Sequence, residues 1–322
     1  DAIMRVYNRF GRRDNKYKAR IKILVKAIGA EAFREKVEAE WQHDKEGPAT
    51  LTQAEVDRCK GFFTDPDYQT LDDNDSEINA QLEKDLLFSH WMERNVVAHK
   101  KPGYRIVTLC LKETGVAPGD ASDRQMEFVA DLAEKYSFSE VRVTHEQNLV
   151  LTDVRLQDLY VLYQGCKQEA LATPYVGLIN DIVCCPGGDF CSLANAKSIP
   201  IAESIQRRFE DFDIQKNIGD LTLNISGCMN ACGHHHVGNI GILGVDKKGS
   251  EFYQVTLGGS ADRDAAIGKG LGPSFAQAEM PDVIEKIINV YLEKRQDSES
   301  FIATYNRIGI EPYKEKVYAD AD

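Results

Sequence analysis

The sequence predicts a mixed α/β (α+β) chain, with a ferredoxin-like split βαβ domain over residues 101–173 followed by a second α/β domain over 174–315. Three observations predict it. Strand-like and helical apolar patterns follow one another in a β-α-β-β-α order between residues 104 and 170. After Pro174, short apolar strand runs are interspersed with amphipathic helical stretches. A composition of 43% hydrophobic residues, 24 Gly and only 10 Pro is that of an ordinary folded protein, and 322 residues suffice for about two domains.

Residues 1–100 read as a basic helix and an acidic connector. Ile21, Leu24, Val25 and Ile28 make an i, i+3, i+4, i+7 stripe in a helix predicted over 15–40, with Lys18, Lys22 and Lys26 as a basic row beside it. From Gln42 to Lys101 the pattern weakens into polar clusters such as the acidic run 71–77, which predicts short helices. Those acids lack the glycine and the ligand spacing of an EF-hand loop, so they read as a solvated face rather than a calcium site. The split βαβ unit consists of a strand over 104–111, a helix over about 122–136, strands flanking His145–Asn148 and a helix over about 156–170. In the second domain a Cys/Gly-rich loop at 184–191 precedes a helical stretch near 192–210. Strands follow around 221–225, 240–245 and 253–257, and an amphipathic helix spans about 281–295.

The formal net charge of −12 excludes nucleic acid as the main partner, because neutralising phosphates needs a basic surface. The charge is uneven: residues 1–30 hold nine Lys/Arg against two acids. No run approaches the roughly 18 apolar residues of a membrane span, and the lysines of 21–26 interrupt any signal-peptide core, so no membrane role and a cytoplasmic location are expected. Because the chain starts at Asp1, it is expected to be processed or a piece of something longer.

Of eight cysteines, five lie between residues 184 and 232. Without secretion signals, a metal or catalysis is the expected reason for such clustering. Cys185 and Cys191 form a C-x5-C pair, and Cys228 and Cys232 a C-x3-C pair. Zinc ribbons use C-x2-C knuckles, whereas an iron–sulfur cube takes four thiolates from loops of several lengths, so a [4Fe–4S] cluster held by Cys185, Cys191, Cys228 and Cys232 is the better reading. Buried structural thiols are the alternative. Cys184 competes with Cys185, and the x5 spacing favours Cys185; Cys59, Cys110 and Cys166 read as plain core or surface residues. Three consecutive histidines, His234, His235 and His236, cannot all face one ion from a strand or helix, so no second metal is assigned to them.

The run Ser226-Gly-Cys-Met-Asn-Ala-Cys-Gly233, preceded by C-x5-C and followed by Ile240-Gly-Ile242, resembles the signature of the sirohaem and [4Fe–4S] nitrite/sulfite reductases. Segments 141–151, 191–196 and 253–259 are similar to that family in order and spacing, and Asn15–Gly29 looks like the helix that opens its second half. The resemblance covers most of residues 12–312. It implies that Cys232 bridges, its sulfur shared between the cluster and the sirohaem iron. Sirohaem is rich in carboxylates, for which Arg12, Arg13, Lys16, Lys18, Arg20 and Lys22 are candidate partners. Arg142, Gln147, Asn148 and Asn230 are further candidate cofactor neighbours.

Two departures limit the resemblance. The family usually has an acid where this chain has Asn239, and the first of the family's two pseudo-symmetric halves, which supplies the Arg and Lys that bind the substrate anion, is not in this chain. No substrate-binding catalytic residue is therefore named. The expectation is the C-terminal half of an assimilatory sulfite reductase haemoprotein, reducing sulfite to sulfide with six electrons. The alternatives are assimilatory nitrite reductase, or a non-catalytic [4Fe–4S] electron-transfer module lacking sirohaem. The implied electron donor is ferredoxin or an NADPH-dependent flavoprotein.

Overall fold

A computed structural model describes residues 1–319 and divides the chain into two compact units, Asp1–Tyr68 and Gln69–Asp322. The first unit is helical: α1 (Ala2–Phe10), α2 (Ile21–Ile28), α3 (Ala30–Asp44) and α4 (Gln53–Lys60). The single helix expected over 15–40 is broken, because Gly29 takes a φ of +86° and ends α2 before α3 begins. Of the apolar stripe only Leu24 is fully buried.

The second unit holds two sheets, each with its own core. Part of the acidic stretch contributes to the first: α5 (Ser76–Lys84) and α6 (Leu86–Asn95) bury Ile78, Phe88 and Trp91 in one apolar cluster with Val107, Leu151, Leu159 and Leu162. Both helices are capped by aspartates, Asp75 and Asp85, whose carboxylates accept first-turn N–H groups. A strand not foreseen in the sequence, β1 (Val96–Ala98), follows directly; three residues are too few for a legible alternation. It pairs with β2 (Tyr104–Leu109), and α7 (Asp123–Tyr136), β3 (Arg142–Val143), β4 (Leu149–Arg155) and α8 (Leu159–Gln168) complete an antiparallel sheet of order β1-β2-β4-β3. The strand expected to reach residue 111 ends at 109, because Cys110 bonds instead to Leu171 O and Leu111 to the side chain of Asn148.

The second sheet runs β5 (Val183–Cys184), β6 (Leu223–Ser226), β7 (Ile240–Lys247), β8 (Ser250–Leu257), β9 (Lys269–Gly270), with parallel pairing from β5 to β7 and antiparallel pairing of β8 with both β7 and β9. Between β5 and β6 lie the single turn α9 (Gly187–Phe190), α10 (Ile199–Arg208) and α11 (Phe212–Ile218). The helix expected from 192 starts at Ile199, with Pro200 at its first turn, where a missing N–H costs nothing. Helices α12 (Met280–Lys294), α13 (Phe301–Ile308) and α14 (Glu311–Val317) contribute Ile284, Ile287, Phe301 and Tyr313 to the core beneath this sheet. No helix among the described residues is long and apolar enough to cross a membrane.

Asn95 ties the first sheet to the segment leading to the second. Its buried amide donates to Thr108 O at 2.9 Å and Thr173 O at 3.2 Å. Asn95→Ala strands both carbonyls and is expected to lower stability by about 1–3 kcal/mol, read as a drop in the urea midpoint.

Candidate metal centre

The two cysteine pairs leave β5 and β6, which run side by side with Cys184 opposite Ile225. Successive strand residues point to opposite faces, and the adjacent thiols separate accordingly. Cys184 is buried in the core of the second sheet and donates to Cys185 O at 3.2 Å; desolvation pushes its thiol well above the ordinary range. Cys185 is half-buried, and its sulfur accepts the Gly227 N–H at 3.1 Å and lies 3.6 Å from Ser198 Oγ.

Gly227, immediately before Cys228, joins the two pairs. Its carbonyl accepts from Asn195 N at 2.9 Å and Ala196 N at 3.1 Å, closing the loop that contains Cys191 onto the end of β6. A Cβ at Gly227 would stand 2.7 Å from Ala196 O and 2.9 Å from Gly187 Cα, so the approach requires glycine. Cys191 follows α9 and donates its N–H to Gly187 O at 2.8 Å. Beyond Cys228 the chain makes tight turns through Ala231 (φ +58°) and His234 (φ +54°), held by Ser226 Oγ on Gly233 N and by Asn224 Nδ2 on Gly233 O. Cys228 is buried and Cys232 exposed.

Cys232 lines a cavity of about 290 Å³ with His145, Glu146, Gln147, Asp181 and His234. Among the described residues, no three His, Cys, Asp or Glu side chains converge as the ligands of a single ion would. A cube gives each thiolate its own iron and so takes four separated sulfurs. Thiolate donors, an amide N–H aimed at one sulfur and a glycine wall where loops meet fit such a group.

The remaining expected residues fall in different places. In the N-terminal unit all six basic candidates are exposed. Arg12 grips Asp14 through two nitrogens, holding that carboxyl down to about 2, and Arg20 folds onto Lys16 O and Ala19 O. Arg142 is exposed on β3 and paired with Glu140, and Asn230 is exposed in the turn between the last two cysteines. Asn148 is buried, accepting from Leu111 N and donating to Asp181. Gln147 lies on the cavity wall with its amide on the main chain of Cys184. The three histidines separate: His234 lines the cavity, whereas His235 is buried, stacked on His236 at 4.2 Å and pushed down to about 4 by desolvation. Asn239 accepts from Thr222 N and donates to Gly259 O at 2.9 Å, a bond that the acid usual in the family cannot donate.

Sequence reasoning missed Lys112 and Asp181, 3.7 Å apart and buried. Burial pushes the Lys112 ammonium down and the Asp181 carboxyl up, while each charge opposes the shift of the other. A lysine ending the apolar run 106–111 was the available signal.

Fold and site together define an α/β protein with two cysteine pairs brought together at the ends of adjacent parallel strands. Family models narrow the class: the nitrite and sulphite reductase 4Fe-4S domain matches residues 1–45 and 177–322, and the nitrite/sulfite reductase ferredoxin-like half domain matches 99–168. The chain belongs to the nitrite and sulphite reductase family and carries its 4Fe-4S domain. It is 28% identical over 93% of its length to a sulfite reductase [ferredoxin] 2 of Mycolicibacterium paratuberculosis, covering 49% of that protein. It is 24% identical over 92% of its length to a chloroplastic ferredoxin–nitrite reductase of Betula pendula, covering 47% of that protein. The chain thus spans about half the length of these curated relatives. The structure of the Mycobacterium tuberculosis NirA protein superposes with a TM-score of 0.67 at 25% identity, over 97% of this chain and 52% of that one. Dissimilatory sulfite reductase I shares the fold, with a TM-score of 0.54 at 13% identity.

Burial orders the thiols by reactivity. In the iron-free chain at pH 8, iodoacetamide is expected to label exposed Cys59 and Cys232 first. Cys110, Cys166 and Cys184, whose burial raises their thiols (Cys166 to about 12), should stay unlabelled until the chain unfolds. Peptide mass spectrometry over time reads the order, and early labelling of Cys184 contradicts it.

Proposed function

We propose that the chain is the sirohaem- and [4Fe–4S]-binding C-terminal half of an assimilatory sulfite reductase haemoprotein, reducing sulfite to sulfide with six electrons when the rest of the protein is present. The observation that carries this reading is the placement of Cys232, an exposed thiol on the wall of a cavity, four residues after a buried cysteine. A sirohaem and a cube held by these residues would supply redox chemistry, with the cube storing electrons for reduction of the substrate anion.

Cys185, Cys191 and Cys228 would each hold one iron, and Cys232 would be the shared ligand. The Gly227 N–H donates to the Cys185 sulfur at 3.1 Å, the kind of hydrogen bond that the sulfur of a metal ligand accepts. Arg12, Arg13, Lys16, Lys18, Arg20 and Lys22 are the proposed carboxylate partners of sirohaem, and Arg142, Gln147, Asn148 and Asn230 its proposed neighbours. The proposed domain division keeps the boundary between a ferredoxin-like domain ending at 173 and a cofactor domain 174–315, but the ferredoxin-like domain begins before 101, because α5, α6 and β1 share its sheet and core. Because the relatives' names specify ferredoxin, that is the favoured donor, with an NADPH-dependent flavoprotein as alternative. Eight free cysteines suit the reducing cytoplasm. Nitrite is the second substrate reading, supported by the nitrite reductases among the relatives.

Anaerobic expression with iron and acid-labile sulfide analysis tests the cluster, and the visible spectrum separates a sirohaem protein from a cluster-only module. A preparation binding zinc alone sinks the reading. Steady-state kinetics of the full-length protein with each anion decides between sulfite and nitrite.

Cys185→Ser is expected to lose most of the iron. Cys184→Ser should keep iron near the unmodified level while lowering stability by about 1–3 kcal/mol, the cost of a hydroxyl in an apolar site. Retention of the cluster by the first variant and its loss from the second would reverse the ligand assignment.

A further inference from the structure

Lys112 and Asp181 are buried charges to which the proposed function gives no task, and a buried ion pair adds little net stability once desolvation is counted. What they touch is specific. Lys112 Nζ donates to the main-chain oxygen of Glu146, at the tip of the turn between β3 and β4. Asp181 accepts from Asn148 Nδ2 at 3.0 Å and Gly177 N at 3.0 Å, and Asn148 accepts from Leu111 N at 3.0 Å. The pair and its bonds thus grip residues 146 and 148, on either side of Gln147.

Gln147 has a φ of +60°, sparsely populated for a side-chain-bearing residue. From there its amide reaches β5 and closes two bonds on one residue: Oε1 accepts the Cys184 N–H at 2.8 Å, and Nε2 donates to Cys184 O at 2.9 Å. The turn comes this close to the 111–120 loop because Gly119 (φ +85°) has no Cβ; one there would stand 2.8 Å from that of Gln147. Cys185 is the next residue after the clamped one.

We propose that the Lys112–Asp181 pair positions Cys185: by gripping residues 146 and 148 it presses the Gln147 amide onto the main chain of Cys184 and sets the direction of the following sulfur. The functional meaning rests on reading Cys185 as a cluster ligand; the clamp itself does not. Lys112 and Asp181 are positioning residues that act through Gln147.

The test uses the full chain as purified. Lys112→Met keeps the apolar stem and removes the ammonium, and Gln147→Leu removes the final link at a residue that also lines the cavity. In both, hydrogen exchange at the Cys184 amide is expected to rise about tenfold or more while that of Ile287, buried in α12, stays unchanged, and the electron paramagnetic resonance spectrum of the reduced cluster should shift. Exchange that is unchanged, or that rises only in step with Ile287, overturns the proposal, since a general loss of stability moves both amides. Faster Cys184 exchange with an unaltered cluster spectrum also overturns it. If Lys112→Met does not fold, Gln147→Leu decides on the Cys184 exchange relative to Ile287 alone, because its side chain also lines the cavity. If the unmodified chain takes up no iron, the ligand reading fails by itself, and the rate of Cys185 alkylation replaces the spectrum as the second readout.

Discussion

Everything near the two cysteine pairs depends on one glycine peptide at the end of β6. The carbonyl of Gly227 receives two amides from the 187–198 loop, and its own N–H points at the sulfur of Cys185. These bonds join Cys185, 42 positions before Gly227, and the loop of Cys191 to the pair that follows Gly227 at once. The contact is backbone on backbone, so it survives only without a side chain at 227. Neighbouring glycines serve the same end, since at Gly187 an added Cβ would collide with Ser198.

The sheets supply rigidity on both sides of this contact. Parallel pairing of β5, β6 and β7 fixes the register of the strand ends, and the turns after Cys228 are held by Ser226 and Asn224 on β6 itself. The far side of the first loop is anchored from β8, where Glu251 accepts the Lys197 N–H and the buried Tyr253 hydroxyl donates to Lys197 O. Sites placed on strand ends and braced by a second layer of hydrogen bonds hold geometry that free loops do not.

Legibility in the sequence followed the range of the interactions. The helices α7, α8 and α12 and the strands β4, β7 and β8 were readable because their apolar periods are long and local. The three residues of β1 were not, since pairing with β2 and packing beside Phe88 and Trp91 define that strand. The break at Gly29 was hidden by an apolar stripe that ran up to it. Among the site residues, spacing and flanking glycines picked out both cysteine pairs, yet spacing alone says nothing of what Asn148 touches. Its amide lies inside the protein, between Leu111 and Asp181.

Residue type and short spacing were enough to carry the family signature and to set the two cysteine pairs apart from the other cysteines. The tertiary structure decided how adjacent residues divide their work. Cys184 enters the core while Cys185 faces Gly227, and His235 is buried while His234 faces the cavity. Strand pleat and turn geometry send neighbouring side chains to opposite environments, and only the packed elements on each side say which environment is which. The same holds for Lys112 and Asp181, 69 positions apart, whose meeting no local pattern encodes.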